Sequence, residues 1–311
     1  MRQALSNATG VGLLLLVAVT ILVEWHHGGA AVAAQPYVAL ALVVLLTPQV
    51  RRGRQAFVAV AMLLTGVLAL RAPDWTTAVR AGLSNAAFIC AFFCALAGLR
   101  SVAERAPAIR RAGRFLAEQP PGRRYIALPF GGQVFALVLN YGAIALLGAL
   151  ATHSTDAEPD PFLRRHRSRR MLLAIQRGFT SVLPWSPMSF AVAITTALIP
   201  GTSWGAILVP GLVTGLLMTG TGWALDTAFR PKLPGPRPVL ASPEGSWRSM
   251  SPLLTLLAVL VASVATLHLA TGIRVVGIVL LVVPAIAVLW AWLQARGGAS
   301  ADGEGTHAVG A

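Results

Sequence analysis

This sequence has little charge, and least of all negative charge. Asp and Glu together number 11 in 311 residues, and charged residues of either sign make up 12% of the chain against 56% apolar. A soluble domain carries about 25% charged residues, so a water-soluble globular fold is excluded. Cysteine is limited to Cys90 and Cys94, one helical turn apart in an apolar run, which supports neither a disulfide framework nor a metal site. HExxH and paired membrane-facing carboxylates are missing, which argues against a membrane enzyme acting on lipid. Lysine occurs once, at Lys232; every other basic side chain is an arginine.

What the sequence does have is a succession of apolar runs, with a mean hydropathy of +0.70. Each approaches or exceeds the roughly 20 residues that cross a bilayer core as a helix. The expected fold is an all-α polytopic membrane protein, integral over 1–296. The net charge of +14 comes from arginines in the loops between runs, the pattern of the positive-inside rule, so the expected partner is the lipid bilayer and not nucleic acid. Arg2, the run Val11–Val23 and Ala31–Ala33 imitate a secretory signal. Glu24, Trp25, His26 and His27 separate that run from any cleavage point, so it reads as a first spanning helix.

Topology follows from the arginines. Spans are expected at 8–24, 30–50, 55–71 and 82–99, with Arg51, Arg52 and Arg54 on the cytoplasmic side. The fourth span then ends inside, at Arg100, Arg105, Arg110, Arg111, Arg114, Arg123 and Arg124. Over 100–118, Val102, Ala106, Ile109, Gly113 and Leu116 recur at helical spacing, which suits either an interfacial helix or a cytoplasmic docking face. The run 125–151 is followed by Arg164, Arg165, Arg167, Arg169 and Arg170. If it crosses once, those arginines lie outside; if it enters and returns at Asn140-Tyr141-Gly142, both clusters lie inside. A re-entrant hairpin is the expectation, with its tip buried in protein or lining a cavity, because lipid offers backbone groups no partner. Spans 171–199, 203–225, 252–272 and 275–294 complete eight spans plus one hairpin. Both termini are then cytoplasmic, the loop 230–248 is inside, and a disordered tail follows from Gly297. A bacterial inner membrane is the expected location.

Pro184 and Pro187 fall in the middle of 171–199, where each removes a helix hydrogen bond, so this helix is expected to break at "LPWSP" with Ser186 as a cap. A kinked helix is the plainer alternative. A broken helix presents N–H groups to an anion and freed carbonyls to a cation. Candidate solute-binding residues are therefore Asn140, Tyr141 and Gly142 at the tip and Ser186, Pro187 and Ser189 at the break. Arg177, an ionisable group within a span, either touches the solute or snorkels to the surface. His268 reads as a satisfied interfacial residue. Gly211 and Gly215 form a GxxxG that permits close helix approach.

The order of these pieces over 82–225 resembles the first repeat of the ion transporter superfamily, which includes divalent-anion/sodium symporters, arsenite-type permeases and the large subunits of TRAP transporters. In that family a helix leads to an arginine-bearing interfacial helix, a re-entrant hairpin, a broken helix and a return helix. Here these look like 82–99, "RSVAERAPAIRRAGRFLAEQ", "FALVLNYGAIALLGAL", "SVLPWSPMS" and 203–225. The family's tip typically reads Ser-Asn-Thr; Leu139-Asn140-Tyr141 keeps the asparagine. The resemblance implies a secondary transporter or permease for a small anionic solute, with Ser186, Ser189 and Thr180 in the breakpoint role. No cofactor is implied, and coupling to Na+ or H+ is left open. The family's second repeat has no counterpart after 203–225, where only 252–272 and 275–294 follow. That implies a second transporter half or a second copy as partner, or else a non-transporting subunit that keeps half of a transporter scaffold.

Overall fold

Proline marks where many of the helices begin. In the computed structural model, Pro107, Pro121 and Pro161 each open a helix and Pro252 stands second in another, positions where the missing N–H would lack an intrahelical partner anyway. The structure describes residues 2–25, 29–156, 158–229 and 246–305. His26 and His27, most of the basic loop 230–248 and the end of the tail lie outside the described residues. Among the described residues there are twelve α-helices and no strand. The chain groups into two compact units, Met1–Ala95 and Leu96–Ala311, a finer division than the single domain expected over 1–296.

The first unit holds α1 (Arg2–Glu24), α2 (Gly29–Leu46), α3 (Arg52–Arg71) and most of α4 (Trp75–Arg105). Helices α1 and α2 pack as a pair around Leu16, Ala39 and Leu42. Gln35 Nε2 donates to Thr20 Oγ1 across them (3.2 Å), so two buried polar groups satisfy each other. Helix α3 buries no residue, and Phe57 and Leu70 are 78% and 88% exposed. In water such a helix would be untenable; in hydrocarbon its apolar surface is already solvated.

The second unit adds α5 (Pro107–Ala117), α6 (Pro121–Leu139), α7 (Gly142–His153), α8 (Pro161–Val182), α9 (Phe190–Leu198), α10 (Trp204–Ala228), α11 (Ser251–Thr271) and α12 (Val275–Gly305). Helix α8 is the hub, packed on α6, α7 and α10. Glycines let backbones meet there. A Cβ on Gly178 would collide with the Pro129 carbonyl of α6, and one on Gly132 would lie 3.2 Å from Ile175 O of α8. On α10, the buried Gly211 and Gly215 abut the carbonyls of Pro184 and Ser181, so the GxxxG pair serves packing inside the chain.

Among the described residues, seven helices are long and apolar enough to cross a membrane: α1 to α4 and α10 to α12. They coincide with seven of the eight runs read as spans; the eighth, 171–199, is interrupted. Four expectations change. Residues 100–105 belong to α4, and α5 starts only at Pro107. The stripe Ala106, Ile109, Gly113 and Leu116 is buried against protein, with Leu147, Leu150 and Phe135 around Gly113, instead of facing lipid or a docking partner; Arg110, Arg111 and Arg114 remain exposed. The arginines 164–170, read as loop, lie in the first half of α8, which Asp160 caps by accepting from Phe162 N (2.8 Å). Finally, α12 runs helically past Gly297 to Gly305, where a disordered tail was expected.

Candidate functional site

Two interruptions in the apolar helices face each other. The first lies between α6 and α7. Asn140 N donates to Ala136 O (2.9 Å) and closes α6; Ala143 N then donates to Asn140 O (3.0 Å) and opens α7. Asn140 has φ +50° and ψ −129°, the only positive φ outside glycine among the described residues. With Tyr141 at φ −57° and ψ −22°, these are the central dihedrals of a type II′ turn. The chain reverses with no room at Gly142, whose Cβ would fall 2.6 Å from Glu104 Oε1 and 2.8 Å from Arg100 Nε. That ion pair (2.7 Å) lies against the first turn of α7, where a carboxylate is favoured by the helix dipole.

The second interruption separates α8 from α9, and the prolines account for its hydrogen bonds one by one. Pro184 has no N–H for the carbonyl of Thr180, which accepts instead from Leu183 N (3.2 Å). Pro187 has none for Leu183 O, and the hydroxyl of Ser189 donates to it (2.7 Å). Ser186 Oγ accepts from Met188 N (3.2 Å), and Ser189 Oγ caps α9 by accepting from Val192 N (3.2 Å). The cap of α9 is therefore Ser189 and not Ser186, the residue expected there; Ser186 holds the loop behind it. Both hydroxyls are buried, at 2% and 3% exposure.

Asn140 joins the two breaks. Its Nδ2 donates to Met188 O (2.7 Å), the carbonyl just outside α9. Asn140 is 8% exposed, and its Oδ1 is buried without a partner. Leaving such an acceptor unsatisfied costs about 1–3 kcal/mol. The tip and the break thus meet at Asn140, which binds the carbonyl just before α9 and leaves its own amide oxygen buried without a partner.

The other candidates divide. Tyr141 is exposed on one side and packs its ring against Phe179 (5.1 Å between centroids). Pro187 lines, with Ser186 and Met188, an apolar cavity of about 490 Å³ whose far wall is α11 and α12. Thr180 is not gathered in: its hydroxyl donates back to Gln176 O (2.7 Å). Arg177 is also elsewhere, donating to Gly222 O (2.8 Å) and lying 3.9 Å from Asp226 on α10. His268 is held by Ile273 O (2.8 Å), so its Nδ1 carries the proton. Sequence reasoning missed Gln133, whose Nε2 donates to Ser181 Oγ (2.8 Å) and Thr219 Oγ1 (3.1 Å), tying α6, α8 and α10 together beside the break. Its signal was a lone amide inside an apolar run.

No protein-family model, no curated protein and no solved structure matches the chain.

Proposed function

We propose that this chain is a secondary transporter or transporter-like permease for a small anionic solute, which binds where the Asn140 tip meets the Ser186–Ser189 break. One observation carries the reading: two helix interruptions meet at Asn140, whose Nδ2 binds Met188 O just before α9, while its unpartnered Oδ1 is an acceptor suited to a coupling cation or a donor on the solute. The first turns of α7 and α9 favour negative charge. A coupling cation, Na+ or H+, would meet oxygen atoms in the same place. A second copy or a second transporter half would supply the opposite wall.

In this reading 125–151 is re-entrant and both arginine clusters are cytoplasmic. Helix α7 has 12 residues, about 18 Å of rise, well short of a hydrocarbon core of about 30 Å. Single cysteines at Ser101 and Ser168 are expected to react with an impermeant maleimide from the cytoplasmic side alone. Reaction of the Ser168 position from outside would make 125–151 a crossing and end the hairpin reading.

The site itself is tested by Asn140→Gly, which keeps the turn and removes the amide, alongside Asn140→Leu. In proteoliposomes given radiolabelled succinate or sulfate, both variants are expected to lose most of the uptake shown by the parent, with Asn140→Gly losing little folded protein. Parent-level uptake by Asn140→Gly would show that the amide is not part of the binding site.

A further inference from the structure

A second polar constellation lies away from the tip, at the end of α10. Asp226 receives Arg170 Nη2 (2.6 Å) and faces Arg177 (3.9 Å), so one carboxylate stands between two guanidiniums and the group keeps one positive charge. Arg170 is the close partner. Arg177 is the looser one, and beyond the bond to Gly222 O most of its fork of donors is left for another acceptor. Beside it opens a groove of about 310 Å³, whose lining includes Arg177 and Asp226 together with Phe130, Gly220 and Trp223. Phe130 and Trp223 are each 58% exposed. The groove is apolar apart from its charged end. Trp223 lies less than one turn from Asp226, so an aromatic ring sits near the level of the charges, as in an interfacial belt.

We infer that this groove is a binding site for an anionic phospholipid, with the phosphodiester on Arg177 and one acyl chain along Phe130 and Trp223. The charge matches a monoanionic headgroup: Arg177 attracts it, and Arg170 neutralises the carboxylate that would otherwise repel it. A free phosphate would leave the apolar length of the groove unused. A zwitterionic lipid brings the same phosphodiester with a cation of its own, which the surplus positive charge disfavours. Basic pockets between spanning helices near the membrane surface recognise acidic lipids in this way.

Gly220 supplies a clean test, because a Cβ built on it meets nothing within 4 Å, so a large side chain can fill the groove without moving backbone. The full chain, purified in mild detergent and mixed with phosphatidylglycerol or phosphatidylcholine, is examined by native mass spectrometry. The parent is expected to retain one phosphatidylglycerol in preference to phosphatidylcholine, and Gly220→Trp to lose that adduct. Arg177→Gln should cut the preference about fivefold, the worth of one basic side chain at a membrane surface. Equal retention of the two lipids, or an adduct that survives Gly220→Trp, would overturn the inference. Displacement of the lipid by millimolar inorganic phosphate would assign the site to a free anion instead.

Discussion

With Pro184 and Pro187 both replaced by alanine, solute uptake is expected to fall to background while the chain still inserts and folds. The two new N–H groups would restore the helical partners of Thr180 O and Leu183 O, whose present bonds come from Leu183 N and the Ser189 hydroxyl. Removing a proline from a helix interior favours the helix by about 3 kcal/mol at each site. That is more than the roughly 0.5–1.5 kcal/mol of a typical hydrogen bond holding the broken form. A continuous helix would draw Met188 O into a bond along its own backbone and away from Asn140 Nδ2. The buried amide would then lose its one partner, and the start of α9, with its capped first turn, would cease to exist. Circular dichroism should show slightly more helix. If uptake persists in the double variant, the break is only a bend and has no part in binding.

Gly178→Leu is expected to damage the fold more than any other single change considered. The obstacle is the Pro129 carbonyl, which belongs to the backbone of α6 and cannot rotate aside. Overpacking ordinarily costs about 1–3 kcal/mol, and that range describes side chains that can shift. Here α6 and α8 must separate, taking with them the bonds of Gln133 to Ser181 and Thr219. Loss of more than about 3 kcal/mol is expected, visible as a collapse of the monodisperse fraction in detergent. Gly220→Ala is the control: its Cβ meets open space, and helix propensity alone predicts a gain of up to about 1 kcal/mol. Equal behaviour of the two variants would mean that the α6–α8 crossing is looser than its geometry implies.

The all-helical membrane architecture was legible in the sequence because it rests on composition and run length. The two interruptions were legible as well, since proline and an Asn-X-Gly turn act through local backbone chemistry. The start of α8 was misread for a different reason. The arginines from 164 to 170 look like a cytoplasmic loop to a hydropathy argument, although Asp160-Pro161 is an ordinary helix start. The burial of the α5 stripe could not be read, because periodicity reveals an apolar face without saying what covers it. The surroundings of Arg177 could not be read for a related reason: its partner Asp226 lies on another helix, 49 positions away, and only tertiary packing brings them together.

The turn at Asn140 also limits which amino acids can stand there. Backbone with φ +50° and ψ −129° is natural for glycine and strained for most other residues, by about 1–3 kcal/mol. Glycine satisfies the backbone and forfeits the bond to Met188; aspartate keeps the shape and turns an oxygen toward that carbonyl, where a donor is required. Asparagine alone meets both demands, one set by the chain's own reversal and the other by a segment 48 positions downstream. Position 140 therefore works as a filter on ancestry: a distant homologue with glycine there has kept the architecture and given up the contact, whereas one with asparagine has kept both.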